Sequence, residues 1–231
     1  MKLISVQDMP VRAFIFDMDG TMIDSMKHHA QSWEVFAQHH GLTIGIDDLM
    51  ARTTGRTGAE CMRELFQREI GEEEARSLVA QKEGIYRELF APVFAEVGGF
   101  SAFSARAHDA GLRVGVGTAG DRHNIAFAMG HLALQPAPHA VVGGDEGLRG
   151  KPEPDIFLEA ARRLGVAPAA CVVFEDAPFG IEAARRAGMR AVGLCTTHEP
   201  EQLAGPHVLA HIRTYDELNH DNFWGMIHAH S

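Results

Sequence analysis

Two aspartates close to the amino terminus constrain this chain more than any other stretch. Residues 12–16 form a mostly apolar run, typical of a strand buried on both faces of a parallel sheet, and Asp17-Met18-Asp19-Gly20-Thr21 follows it directly. Because side chains alternate along an extended chain, Asp17 and Asp19 can point into one small space. Two such carboxylates repel each other unless a cation or a shared proton intervenes. The pattern therefore favours a metal site or an acid–base pair, with an Asp-rich turn at a strand end as the alternative.

The second half of the chain alternates between short apolar runs and helical patterns, as βαβ units on a parallel sheet do. The runs occupy residues 112–117, 140–142, 171–174 and 191–194, with a candidate edge strand at 208–212. Helices are predicted between them at residues 101–110, 124–131, 155–164 and 181–187. With the first strand, these runs predict an α/β fold, a doubly wound, Rossmann-like parallel sheet with a five-stranded core.

The first half contains helical patterns and no convincing strand after the aspartates. Helices are predicted at residues 25–40, from residue 57 behind a capping-box pattern, and from the acidic run at 72–74 to Pro92. We therefore expect two domains. Residues 1–23 and 93–231 form the α/β core, and residues 24–92 form an inserted all-helical domain.

Composition argues against several classes of protein. With 231 residues, 45% of them hydrophobic, the chain is long enough to bury a sizeable core. A formal net charge of -10 argues against a general nucleic-acid surface, because phosphate backbones bind basic faces. No run is long enough to span a membrane, and Cys61, Cys171 and Cys195 form neither a metal motif nor a disulfide framework. We expect a cytoplasmic monomer or weak homodimer that binds neither nucleic acid nor membrane.

Three more segments carry polar residues at strand ends or in loops. Thr118-Ala119-Gly120 follows the second run and suits a phosphate held by backbone N–H groups and a hydroxyl. Gly150-Lys151-Pro152 presents an ammonium that can act as a point charge on a phosphate. Glu175-Asp176 ends the fourth run as a second acidic pair, and buried like charges are costly without a cation. Each segment alone is an ordinary turn or surface feature, but the two acidic strand ends reinforce each other.

Taken in order, these segments resemble the four motifs of the haloacid dehalogenase superfamily. The matching residues are 17–21, Thr118, Gly150-Lys151-Pro152 and Glu175-Asp176. The resemblance covers nearly the whole chain, and residues 150–157 and 174–189 are especially similar to the β-phosphoglucomutase-like branch. The resemblance implies an α/β core with the helical insertion as its cap domain. It also implies phosphoryl chemistry through an aspartyl-phosphate intermediate.

The resemblance also implies a role for each motif residue. Asp17 would be the nucleophile that attacks phosphorus, and Asp19 would protonate the leaving alkoxide and then activate water. Thr118, the backbone at Ala119 and Lys151 would bind the phosphoryl oxygens as charge builds on them. An Asp at position 19 argues against dehalogenation, because expelling a halide requires no acid there.

A Mg²⁺ ion is the cofactor that the resemblance implies. Its ligands would be Asp17, the backbone carbonyl of Asp19 and Asp176, with Glu175 supporting the water shell of the ion. Carboxylate and carbonyl oxygens are the ligands that this hard cation prefers.

The cap residues determine which substrate is bound. By the resemblance, His29 and Lys82 fall where the mutases carry a cap His and Lys, although simple phosphatases of the branch often have both. A surface His and a solvated Lys remain the alternatives at these positions. The cap-loop Arg that grips a second phosphate in the mutases is replaced by Gly58, with Arg52 and Arg56 as substitutes in a different register.

The expected function is a Mg²⁺-dependent phosphatase of small phosphorylated metabolites, with sugar phosphates as the preferred class. A β-phosphoglucomutase-type mutase is the alternative, and a catalytically silent binding protein on the same fold is the third reading. We also expect Arg122 and His123 to cap the following helix rather than touch a leaving group. Residues 223–227 are expected to pack as a final helix rather than form a dimer contact.

Overall fold

A computed structural model describes residues 10–43, 45, 48–49, 58–218 and 221–228. Contacts divide the chain into two compact units, Met1–Asp24 with Glu96–Ser231, and Ser25–Ala95. We call them the sheet unit and the helical unit. Arg52 and Arg56, the two cap arginines predicted to bind substrate, lie outside the described residues.

The sheet unit contains a six-stranded parallel sheet. Its strands are β1 (Ala13–Phe16), β2 (Arg113–Gly117), β3 (Ala140–Val142), β4 (Cys171–Glu175), β5 (Arg190–Leu194) and β6 (Val208–Ile212). They are arranged in the order β3-β2-β1-β4-β5-β6, and every neighbouring pair is parallel. The candidate edge strand is therefore a full member of the sheet.

Helices connect these strands and build the helical unit. The described helices are α1 (Met26–His39), α2 (Gly58–Phe66), α3 (Glu72–Phe90), α4 (Phe100–Asp109), α5 (Arg122–Leu132), α6 (Asp155–Leu164), α7 (Pro178–Arg186) and α8 (Asp221–His228). The first three belong to the helical unit and the others to the sheet unit.

The central strand β1 is buried on both faces, as its apolar sequence predicts. Phe14 and Phe16 both contact the ring of Phe103 on α4. Ala13 and Ile15 point to the other face and belong to a buried cluster with residues of α6 and α7. Because helices cover both faces of a parallel sheet, the predicted doubly wound α/β fold is confirmed.

The carboxyl-terminal helix α8 packs on the aromatic face of the sheet unit. Phe223 and Trp224 are each only 4% exposed. The Trp224 ring centroid lies 5.2 Å from that of Phe103, and the Arg106 guanidinium lies 4.6 Å from the centre of the indole. The predicted final helix is confirmed, and these two aromatic side chains belong to the core of the chain rather than to a dimer contact.

The helical unit has its own apolar core. Trp33 and Phe36 on α1 are buried with Met62 and Leu65 on α2. The start of α2 approaches α3 so closely that a Cβ at Gly58 would lie 2.8 Å from Cγ2 of Val79. That the helical unit is a cap domain over a catalytic site stays a prediction.

Burial also determines the chemical behaviour of the cysteine thiols. Cys61, Cys171 and Cys195 are buried, and they form no disulfide with one another. Burial raises the pKa of the Cys171 thiol to about 12, so this side chain stays protonated and acts as an apolar core residue. Among the described helices, none is both long and apolar enough to cross a membrane.

Candidate active site

The strand order brings the polar strand ends together. β2, β1 and β4 are parallel neighbours, so residues that follow them lie at the same edge of the sheet, where open α/β sheets bind ligands. Thr118 follows β2, Asp17 follows β1, and Glu175 ends β4 just before Asp176.

Lys151 reaches this edge from the loop between β3 and α6. Its Nζ lies 2.5 Å from Oδ1 of Asp17 and 2.8 Å from Oε2 of Glu175, and all three side chains are buried. Glu175 Oε1 also accepts a hydrogen bond of 3.1 Å from the backbone N–H of Ala177, at the start of α7. The ammonium therefore holds the carboxylates of Asp17 and Glu175 in fixed positions.

Asp176 is held by hydroxyl groups. Thr197 Oγ1 donates to its Oδ2 at 2.6 Å, and Thr21 Oγ1 lies 3.4 Å from its Oδ1. The second contact is long for a hydroxyl hydrogen bond, so Oδ1 is the less strongly held oxygen.

The electrostatics of this group follow from its burial. Burial raises the pKa of Glu175 to about 8 and that of Asp176 to about 7, and it also raises the pKa of Asp17. Attraction to Lys151 opposes this effect but does not overcome it. For Lys151, burial lowers the pKa, but Asp17 and Glu175 outweigh burial and raise it above its ordinary value. When all three carboxyl groups are ionised, they share one buried ammonium, which leaves an excess of negative charge and favours either protonation or a bound cation.

A divalent cation fits this excess. Among the described residues, Asp17, Glu175 and Asp176 form a group whose carboxylate oxygens lie within 4.8 Å of one another. Oxygen donors of this kind suit a hard cation such as Mg²⁺. Since Lys151 and Ala177 already engage both oxygens of Glu175, the carboxylates of Asp17 and Asp176 are the better placed direct ligands.

Asp19 differs from these three residues. It is half-buried, and its carboxylate is not part of the group of three. The backbone around it turns tightly, because the N–H groups of Met22 and Ile23 both donate to the carbonyl of Met18, at 2.8 and 3.1 Å. A carboxyl near the buried group but outside it suits proton transfer better than metal binding.

The Thr118 loop is shaped to offer a hydroxyl hydrogen. The Thr118 side chain is buried, and its oxygen accepts a 2.9 Å hydrogen bond from the N–H of Gly120. That bond leaves the hydroxyl hydrogen to donate outward. Ala119 between them is exposed.

In the helical unit, Lys82 and His29 are in direct contact. Lys82 Nζ lies 2.9 Å from His29 Nδ1 and 2.9 Å from Glu83 Oε1, and the His29 ring stacks on Tyr86 at a centroid distance of 3.8 Å. Lys82 is only 2% exposed, so the reading of Lys82 as a solvated helix charge is wrong. Because an ammonium only donates, Nδ1 of a neutral His29 accepts and its proton lies on Nε2.

The loop that follows β5 also supports the site, although it was not predicted. Thr196 Oγ1 donates to the carbonyl of Gly20 at 2.6 Å, and Thr197 holds Asp176 as described above. Further along the chain, the buried Tyr215 hydroxyl donates to the carbonyl of Thr21 at 3.2 Å. The signal was present for the two threonines, because only Cys195 separates them from the end of β5 in the same parallel sheet.

The prediction that Arg122 and His123 cap α5 was wrong. Asp121 is the N-cap, and its side chain accepts from the N–H groups of His123 and Asn124, both at 2.9 Å. Arg122 begins the helix and pairs with Asp145 at 2.7 Å on the surface. The first N–H groups of a helix require a side-chain oxygen that accepts their hydrogen bonds. Asp121 supplies this oxygen, whereas the side chains of Arg and His have none.

Comparison with known proteins gives a consistent result. The family model described as haloacid dehalogenase-like hydrolase matches residues 11–188. The chain is 36% identical over 181 residues to fructose-1-phosphate phosphatase YqaB of Escherichia coli (strain K12). This alignment covers 77% of the chain and 93% of that protein. The chain is 30% identical over 192 residues to the β-phosphoglucomutase of Bacillus subtilis (strain 168), covering 80% and 83% respectively.

A solved structure supports the same assignment of the fold. A HAD hydrolase of family IA, variant 3, from Entamoeba histolytica superimposes with a TM-score of 0.82 and is 26% identical in sequence. The superposition covers 94% of this chain and 99% of that one.

Proposed function

Because the chain belongs to the haloacid dehalogenase-like hydrolases, we propose that it is a Mg²⁺-dependent phosphatase of small sugar phosphates that works through a phosphorylated Asp17. The observation that carries this proposal is the buried ion pair between Asp17 and Lys151, beside the carboxylates of Glu175 and Asp176. A carboxylate held next to a cation-binding group and a phosphate-binding ammonium is equipped for attack on phosphorus. The E. coli relative, named for fructose 1-phosphate, supports the choice of sugar phosphates.

In the first half of the reaction, a carboxylate oxygen of Asp17 forms a bond to phosphorus and the bond to the sugar oxygen breaks. Asp19 gives its proton to the departing alkoxide, which leaves as a neutral sugar hydroxyl. Lys151 and the Thr118 hydroxyl donate to the phosphoryl oxygens, where negative charge grows. Mg²⁺, held by Asp17, the carbonyl of Asp19 and Asp176, would neutralise part of the same charge.

In the second half, Asp19 takes a proton from water, and the water oxygen bonds to phosphorus. The bond between phosphorus and Asp17 breaks, which restores the free carboxylate and releases inorganic phosphate. The Thr118 loop and Lys151 act in both halves, because both pass through a phosphoryl group with the same charge.

Substrate binding by the helical unit is the less developed part of the proposal. His29 and Lys82 are the candidates in the described residues, since a buried Lys beside a His can present N–H groups to sugar and phosphate oxygens. Arg52 and Arg56 complete the set of candidate residues.

Gly58 favours hydrolysis over mutase chemistry. A mutase must hold a second phosphate, and the resemblance puts the Arg for this purpose at position 58. Here a Cβ at Gly58 would lie 2.8 Å from Val79, whose branched side chain has little rotamer freedom to move aside. An Arg at this point would require α2 and α3 to repack.

The proposal is tested by measuring phosphate release from a panel of sugar phosphates, with Mg²⁺ and after its removal with EDTA. We expect release from hexose phosphates with Mg²⁺, a loss of about 10²-fold or more with EDTA, and recovery when Mg²⁺ is returned. The B. subtilis relative makes glucose 1-phosphate the critical substrate. If it becomes glucose 6-phosphate faster than phosphate appears, the chain is a mutase and the proposal is wrong.

A further inference from the structure

The loop after β5 carries a chain of hydrogen bonds that ends on Asp176. Thr197 Oγ1 lies 2.6 Å from Asp176 Oδ2, 3.1 Å from the carbonyl oxygen of Asp176 and 2.9 Å from His198 Nδ1. His198 Nδ1 in turn lies 2.9 Å from the same carbonyl oxygen. The side chain and the backbone of Asp176 are therefore both held by one dipeptide.

The number of available hydrogen atoms determines which atom donates in each of these hydrogen bonds. A threonine hydroxyl has one hydrogen, and the carboxylate oxygen at 2.6 Å is both the nearest and the most negative acceptor. The Thr197 oxygen and the carbonyl of Asp176 are then both acceptors facing His198 Nδ1, so this nitrogen carries the proton. The direction of donation runs from His198 to Thr197 and from Thr197 to Asp176.

This arrangement divides the two oxygens of Asp176. Oδ2 is engaged by Thr197, whereas among the described residues Oδ1 has only the long 3.4 Å contact with Thr21. A carboxylate that rotates freely offers either oxygen to a cation in many orientations. Fixing Oδ2 orients Oδ1 and reduces the ordering that metal binding requires.

We propose that Thr197 is a positioning residue that orients the Asp176 carboxylate for the divalent cation. This inference rests on the proposed function, because it assumes that Asp176 is a metal ligand. Thr197 lies after a strand whose end bears none of the four motifs, and its role comes from its contact with a residue 21 positions earlier. Thr196, which binds the carbonyl of Gly20, anchors the same loop to the segment after β1.

The test is the affinity of the metal-free enzyme for Mn²⁺ alone, measured by titration without substrate, with Mg²⁺ as competitor. T197V removes the hydroxyl while keeping the shape, T197S keeps the hydroxyl, and T214V is the matched control. The Thr214 hydroxyl makes no hydrogen bond among the described residues. We expect T197V to bind Mn²⁺ about five- to tenfold more weakly, with T197S and T214V close to wild type.

The outcomes separate this inference from the proposed function. If wild type binds Mn²⁺ and T197V binds it equally well, the positioning role is wrong while the metal-dependent phosphatase stands. If T197S is as weak as T197V, the hydroxyl is not the cause and the inference also fails. If wild type binds no divalent cation, both proposals fall. T197V loses one hydrogen bond to a buried carboxylate, so its metal-free unfolding midpoint is measured as well, and full folding of T197V at the titration temperature shows that any loss of affinity is local.

Discussion

Replacing Asp17 with Asn should abolish phosphate release from every sugar phosphate that the wild-type enzyme accepts. An amide oxygen is a poor nucleophile, so the covalent step through residue 17 is lost, and we expect a fall of at least about 10³-fold in kcat. The fold should survive, because Asn has the same shape and its oxygen can still accept from Lys151. Phosphate release over time, under saturating Mg²⁺, measures the effect.

The matched control is D109N. Asp109 is exposed and is the last residue of α4, which leads into the start of β2. It therefore lies toward the amino-terminal ends of the strands, opposite the site, and the same chemical change should leave kcat unaltered. The metal-free unfolding midpoint of D17N should not fall below that of wild type. Burial disfavours the ionised form of Asp17, and an uncharged side chain removes one of three crowded negative charges. Substantial release by D17N would rule out Asp17 as the nucleophile.

The fold was largely predictable because its signals are local. A helix expected at residues 155–164 is observed as Asp155–Leu164, and the run at 140–142 is observed as Ala140–Val142. Apolar periodicity and glycine stops are properties of neighbouring residues, so they can be read from one sequence. The sixth strand was less certain because β6 is a partly exposed edge with a weaker apolar pattern.

The site was predictable only at the level of which residues meet. Parallel strand ends converge by topology, which is why Asp17, Thr118 and Asp176 could be grouped in advance. The hydrogen bond from Thr197 to Asp176 could not, because it depends on the path of the loop after β5. The burial of Lys82 was missed for a similar reason, since burial depends on how α1 and α3 pack.

The buried carboxylates around Lys151 lower the stability of the fold, and specific contacts offset part of this cost. Buried carboxylates in excess of their counter-charge lower the stability of a fold. Here Lys151 and the N–H of Ala177 hold Glu175, while hydroxyl groups hold Asp176. These supports leave the remaining negative charge at the point where the proposed cation would bind.

Replacing Gly180 with Ala should damage this arrangement directly, because the added methyl group collides with Glu175. A Cβ at Gly180 would lie 2.0 Å from Cδ of Glu175 and 2.3 Å from each of its carboxylate oxygens. Glu175 is buried and bonded to Lys151, so it has no room to retreat without breaking that pair. We expect a loss of about 2–4 kcal/mol in the free energy of unfolding, from overpacking and a broken buried pair. Denaturant unfolding and phosphate release measure the two losses, and activity should fall with stability because Lys151 loses one of its two anchors.

The same substitution at Gly130 is the control, and it should have the opposite sign. Gly130 lies on α5, is exposed, and has no heavy atom within 4 Å of where its Cβ would be. Ala there should stabilise the chain by about 0.5–1 kcal/mol through its higher helix propensity. A double-mutant cycle then identifies the cause, because G180A should cost much less in an E175A background, where the colliding carboxylate is gone. An equal cost in both backgrounds would mean that the collision with Glu175 does not explain why residue 180 is glycine.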